Sequence, residues 1–471
     1  MSSNSGKAVK AGIGYTIGNV LVKGIGFLTL PLFSRLLTTE EFGIFNVFVS
    51  YEAILYVVIG LALHSSIQSA KLEFQDKIDD YTSSISLIYI VDAAIALAIA
   101  LVFSDSLSRL MDFSRGTIVM LVLYSFGSAY LTLYNNRLSL NYDYKKYMVV
   151  ALSNSLGNVI LSLLFILTIF RNDRATGRII GATVAMFVLS IVLLFITFSK
   201  AKPKYNKEYW KFGVKYSLPI VPHGISQVLL AQVDRIMIRS MVGNSEAGIY
   251  SLAGNIKLIM TIINESVTTA WRTWFYNEID HDRINNIQKY AGALATLFVI
   301  FSVGLMAISP EMILVLGGKE YDTGKYVAIP MIIDAYVLFL YSVIVQSEYY
   351  KKKTTYIMLG TLIATVINLI TNYVFIKYYG FIAAAYTTLF SYVCYLALHI
   401  VISHKVAGFF VLKLKYLFIN LAIIAVAAVV DLVFIERIAI RWGICLVMVV
   451  GVFYWLNRQI DVVKMLKDKR G

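Results

Sequence analysis

Lys257, Thr261, Glu265, Thr268 and Arg272 follow one another at intervals of 4, 4, 3 and 4 residues. On a helix that spacing puts all five on one face. Three of the five ionise. Such a face can line water and hold a charged ligand, or it can hydrogen-bond to a neighbouring helix. Glu52, Tyr56, Gly60 and His64 repeat the same period earlier in the chain, and Lys23 is a further lone cation in a long apolar stretch. Weaker candidates for gating or for holding a coupling ion are Glu265, Asp92, Asp234, Arg235 and His223, the last just after Pro219 and Pro222. Asp92, Asp334 and Asp431 read as isolated acids. There is no phosphate-binding glycine loop before Lys-Ser/Thr, and no paired histidines have metal-ligand spacing. Cys394 and Cys445 lie alone in apolar runs. These residues therefore suit binding, not catalysis: no enzyme activity, metal or cofactor is expected, beyond a coupling proton or sodium ion.

The elements that carry these residues must sit in lipid. The chain has 471 residues, 58% of them hydrophobic and only 15% charged. Its mean hydropathy is +0.72. A soluble domain is about a quarter charged. Fourteen stretches are long enough to cross a bilayer as helices, which needs about 20 apolar residues. Only helices and closed barrels satisfy their backbone in hydrocarbon, and these runs are too long for barrel strands. The expected architecture is thus an all-α polytopic membrane protein of about 14 transmembrane helices. Its net charge of +14 comes from short clusters between apolar runs, such as Lys200 to Lys215, Lys351 to Lys353 and Lys464 to Arg470. That is the pattern of cytoplasmic loops, and it predicts both termini inside. No basic stripe or motif for nucleic acid accompanies it.

A charge within hydrocarbon costs about 2.5–3.5 kcal/mol even by lenient insertion scales, so the ionisable residues must face water, pair or snorkel. Depth and repetition bring three of them together. Glu41-Phe42-Gly43-Ile44-Phe45 recurs 205 residues later as Glu246-Ala247-Gly248-Ile249-Tyr250. Glu52 and Lys257 each lie nine residues beyond the anchor glycine, about 13–14 Å along a helix. Gly177 to Ala182 resembles Gly380 to Ala385, and Asn158 with Phe165-Ile166 matches Asn368 with Phe375-Ile376. The matches fall six spans apart, which reads as two like-oriented six-helix repeats. The expected organisation is a first lobe at 1–200, a linker at 201–211 with room for a short surface helix, and a second lobe at 212–405. A terminal helix pair with a basic tail follows at 406–471. Lys23, Glu52, Lys257 and Arg272 would line a net-positive chamber, with Glu52 paired to one of the lysines. A purely structural ion pair is the alternative.

With these anchors in place, the chain resembles the polysaccharide flippases (Wzx-type) of the MOP superfamily. Leu30 to Leu37 before the first anchor, Asp234-Arg235-Ile236-Met237-Ile238 before the second, and Tyr378-Tyr379-Gly380 also carry the likeness. The resemblance implies an alternating-access transporter of the bacterial cytoplasmic membrane. It would move an undecaprenyl-diphosphate-linked oligosaccharide outward for O-antigen or capsule-type synthesis. Cationic cavities are common in that family, and Lys23, Lys257 and Arg272 fit by position. Expected partners are the lipid-linked oligosaccharide, membrane lipids, and the polymerase and other assembly proteins. The terminal helix pair also resembles the lipid II flippase branch. A drug or cation antiporter of the same fold, and a membrane glycan polymerase or ligase, are the competing readings.

Overall fold

The computed structural model describes residues 2–460, with side chains described over 11–458 except Ile13. The tail cations Lys464 to Arg470 fall outside it. Every regular element among the described residues is helical. Sixteen helices matter here. The first eight are α1 (Ser2–Leu36), α2 (Thr39–Gly60), α3 (Ile78–Val102), α4 (Arg115–Ser139), α5 (Tyr144–Leu167), α6 (Arg174–Lys200), α7 (Lys207–Ser217) and α8 (Val221–Met241). The others are α9 (Asn244–Ile256), α10 (Leu258–Asp280), α11 (Ile284–Gly317), α12 (Lys325–Ile344), α13 (Thr354–Tyr379), α14 (Ile382–Ala407), α15 (Leu414–Val433) and α16 (Ile438–Ile460).

Twelve of the described helices are long and apolar enough to cross a membrane. The two expected spans outside that set are the seventh and eighth, and both are interrupted. Pro219 and Pro222 cannot continue an α-helix, so α7 stops at Ser217, a 3₁₀ turn covers Leu218–Ile220, and α8 starts at Val221. The eighth breaks at Lys257, between α9 and α10, and α10 then carries Glu265, Arg272, Glu278 and Asp280. These charges lower its hydropathy below that of a lipid-facing span.

The chain divides into two compact units, Met1–Ile236 and Met237–Gly471. The division falls inside α8, later than the linker expected at 201–211. The short helix expected in that linker starts at Lys207 and belongs to the first unit for a physical reason. Tyr209 and Phe212 pack their rings on Phe74 and Tyr81, and Trp210 Nε1 donates to the Ser84 carbonyl at 3.0 Å.

Within the first unit, the Glu-x-Gly anchor is a helix start. Thr38 Oγ1 accepts from the Glu41 amide at 3.1 Å, and Glu41 Oε2 accepts from the Thr38 amide at 2.9 Å, a capping box opening α2. In the second unit Glu246 occupies the first turn of α9. The matched helices α2 and α9 also share a detail: Asn46 and Ser50, like Ser251 and Asn255, each bond back to the carbonyl four residues earlier.

The seams α5–α6 and α13–α14 repeat as well. Asn158 Oδ1 accepts from Arg178 in the first, and Asn368 Nδ2 donates to Thr388 Oγ1 in the second, each across 20 residues. The connection in the second seam, at 380–381, is shorter than that at 168–173.

In the second unit α11 and α12 form the core, with Phe298 and Phe339 stacked at 3.4 Å between centroids. The terminal pair packs on α11 through a fully buried cation. Arg441 of α16 donates to the carbonyls of Ala307 and Ile435 and ion-pairs with Glu311, while Trp442 Nε1 donates to Ala307 O at 3.0 Å.

Candidate functional site

The polar face of α10 meets α12 in a ladder. At its first rung Lys257 Nζ lies 3.2 Å from Asp334 Oδ2; the acid is 1% exposed and the lysine 25%. One turn on, the Thr261 hydroxyl donates to Lys257 O. The middle rung joins Thr268 and Ser342, whose hydroxyls lie 3.0 Å apart and both donate to Asn264 Oδ1. At the last rung Arg272 Nε donates to Gln346 Oε1 at 3.2 Å, and Gln346 Nε2 donates to Ser342 O. Asp334, Ser342 and Gln346 are 8 and 4 residues apart, so they share one side of their helical segment.

Helix-to-helix bonding therefore accounts for Lys257, Thr268 and one edge of Arg272. Glu265 and the remainder of Arg272 are exposed on α10. Asp334, read from the sequence as isolated, is the carboxylate that balances Lys257. The carboxylate beside Lys257 thus comes from within the second unit.

The short helix Gln346–Tyr350 ties this ladder to α14. Its successive side chains reach both neighbours: Gln346 to Arg272 on α10, then Ser347 to Ser403 at 2.6 Å and Glu348 to His399, both on α14. Glu348 Oε1 lies 2.8 Å from His399 Nδ1, and both residues are fully buried. The rings of Tyr341 and Tyr395 close over the imidazole. Sequence reasoning missed this dyad because its members lie 51 residues apart on different helices. Glu348→Ala is expected to destabilise the protein by about 1–3 kcal/mol, since it strands a buried imidazole. Glu348→Gln, which keeps an acceptor, should cost less. The thermal unfolding midpoints of the purified variants check this; equal midpoints would remove the dyad from the list of stabilising contacts.

In the first unit Glu52 is buried in α2. Arg178 is a buried residue of α6. Its guanidinium lies between the rings of Phe33 and Phe45, 3.8 and 4.3 Å from their centroids. It donates to Asn158 Oδ1 at 2.6 Å and to Ser162 Oγ. Phe33 and Phe45 belong to the two short motifs that carried the family resemblance, so the aromatic sandwich gives those motifs a physical role.

The remaining candidates are dispersed. Lys23 is half-buried in α1, and Asp92 is half-buried in α3. His223 is half-buried just past the 3₁₀ turn. Asp234 is buried in α8, where Arg235 donates to Gln232 Oε1, which also accepts from Ser50 at 3.4 Å. Asp431 accepts from Cys445 Sγ at 3.4 Å and so is not isolated.

Apolar helices in two units, with charge concentrated on interrupted helices, define a multi-pass membrane protein. The fold is that of the MOP superfamily. It matches the lipid II flippase MurJ in an inward closed conformation with a TM-score of 0.73, covering 96% of this chain and 100% of that one at 15% identity. It also matches an inward-facing multidrug resistance MATE transporter of the MOP superfamily, with a TM-score of 0.57 over 84% and 95% of the two chains at 15% identity. The family model for polysaccharide biosynthesis proteins matches residues 8–275, and the chain belongs to that family. A relative in Haloferax volcanii, "Probable low-salt glycan biosynthesis flippase Agl15", is 19% identical over 408 residues, 85% of this chain and 84% of that protein.

Proposed function

We propose that the chain flips an undecaprenyl-diphosphate-linked oligosaccharide from the cytoplasmic to the outer leaflet of a bacterial cytoplasmic membrane, with both termini cytoplasmic. A diphosphate glycan head cannot cross hydrocarbon unaided, because burying its charges and hydroxyls without partners costs too much. A protein that carries it must present a surface that substitutes for water. The observation that carries the reading is α10 within a chain of the polysaccharide biosynthesis family. It starts at the break at Lys257, is too polar to be wrapped in lipid, and presents Arg272 exposed at the far end of the ladder from the Lys257–Asp334 rung. An exposed guanidinium suits a diphosphate oxygen. A cation antiporter would instead favour a face dominated by carboxylates, whereas here Glu265 shares the face with Lys257 and Arg272.

Deletion of the gene is expected to leave lipid-linked glycan in the inner leaflet and the surface without polysaccharide. The check is leaflet-resolved labelling of the glycan in inverted and right-side-out vesicles. Unchanged leaflet distribution overturns the proposal. Altered drug susceptibility with normal glycan export favours the antiporter.

A further inference from the structure

A groove of about 480 Å³ lies on the second unit between α10 and α11. That volume falls in the roughly 300–1,000 Å³ range of small-ligand sites. Its wall is aromatic. Trp271 is buried and pinned by its Nε1 bond to Val343 O at 3.1 Å. Trp274 packs against it at 5.0 Å between centroids, and Tyr290 meets Trp274 edge-on at 5.2 Å. Its polar end is a fixed carboxylate. Glu278, 4% exposed, accepts from Asn286 Nδ2 at 2.9 Å and from Arg283 at 3.4 Å. Three polar atoms of the lining have no intramolecular partner among the described residues: Trp274 Nε1, Asn286 Oδ1 and the Tyr290 hydroxyl. They supply a donor, an acceptor and a group that can do either.

An occupant must cover the rings and answer those three atoms together. A hydrocarbon chain would cover the rings but strand the polar atoms, each at a desolvation cost. A free diphosphate would answer one donor, leave the rings wet, and meet the Glu278 carboxylate. A pyranose ring does both jobs: its axial C–H face lies against an indole, and its hydroxyls donate and accept at the rim. We infer that the groove lined by Trp271, Trp274, Glu278, Asn286 and Tyr290 is a sugar-ring subsite that holds part of the glycan. It deepens the flippase reading and rests on it for the source of the sugar. The Lys/Arg distribution puts this end of α10 on the cytoplasmic side, where a glycan to be exported starts.

The test uses the full chain in nanodiscs. Three probes come from host membranes: the lipid-linked oligosaccharide fraction, the glycan released from it by mild acid, and undecaprenyl diphosphate without sugar. The readout is protection of tryptophan fluorescence from acrylamide, with Trp274→Phe as the reference for the Trp274 signal. The intact fraction and the released glycan should both protect Trp274, and undecaprenyl diphosphate should not. Trp274→Ala should weaken binding of the released glycan at least tenfold. Tyr290→Phe, which removes only a hydroxyl, should weaken it several-fold without shifting the unfolding midpoint. Protection by undecaprenyl diphosphate alone would make the groove a lipid-tail site and overturn the inference. So would protection by none of the probes, or wild-type affinity in Trp274→Ala and Tyr290→Phe. The two readings fail separately. Released glycan bound at Trp274 in a protein whose deletion leaves leaflet distribution normal removes the flippase and keeps the subsite. Transport without Trp274 protection does the reverse.

Discussion

Asp334→Ala is expected to abolish glycan export and to cut the amount of folded protein in the membrane, while adding Lys257→Ala restores the amount but not export. Asp334 is 1% exposed, and its carboxylate faces Lys257 Nζ at 3.2 Å. Deleting one member of a buried pair leaves the other charge uncompensated, at about 3–5 kcal/mol; removing both leaves a smaller penalty. Lys257 is a quarter exposed, so solvent relieves part of that cost and the lower end applies. Function should follow a different rule. The pair sits where α9 hands over to α10, with Lys257 as the residue between them. It fixes the start of the segment that bears Arg272, so export needs both members. Folded amount is read by size-exclusion chromatography of a fluorescent fusion, and export by leaflet-resolved glycan labelling. Normal export in Asp334→Ala would show that the rung is only a packing contact.

Much of this was visible in the chain itself, because lipid imposes strong local rules. Long apolar runs gave twelve of the expected spans directly. Pro219 and Pro222 announced the break between α7 and α8, and the spacing of α10's polar residues announced a shared face. Pairings were not visible. Lys257 meets Asp334 across 77 residues and Arg178 meets Asn158 across 20, and neither partner is implied by local periodicity. Arg178 is easily misjudged from sequence: with Arg171 and Arg174 it reads as one more basic loop residue, yet α6 begins at Arg174 and carries it inward. The buried Arg441 was hidden in the same way, since an arginine near the start of a last span looks like an interfacial anchor. The attachment of α7 to the first unit rests on its aromatic packing against Phe74 and Tyr81, distant contacts that local composition cannot report.

Gly181→Ala is expected to be more damaging to the first unit than any single loss of a hydrogen bond there. A Cβ built on Gly181 would lie 2.4 Å from Ser162 Cα and 2.5 Å from Ser162 N. These are backbone atoms, so no rotamer change relieves the clash; α5 and α6 must separate. Ordinary overpacking costs about 1–3 kcal/mol, and displacement of a whole helix lies at or above the top of that range. The displacement also pulls at chemistry. Ser162 Oγ and Asn158 Oδ1, both on α5, accept from Arg178, which lies three residues before Gly181 on α6. Parting the helices would strand a buried guanidinium between Phe33 and Phe45, with its hydrogen-bond acceptors out of reach. Gly24→Ala is the matched comparison, because a Cβ there meets nothing within 4 Å. Alanine also favours a helix by up to about 1 kcal/mol over glycine. The unfolding midpoint should therefore fall sharply for Gly181→Ala and hold or rise for Gly24→Ala. Gly181→Ala should lose surface polysaccharide as well, since an unfolded first unit cannot transport. Equal midpoints for the two variants would mean that α5 and α6 are not in backbone contact at Ser162, and the polar seam around Arg178 would lose its structural basis.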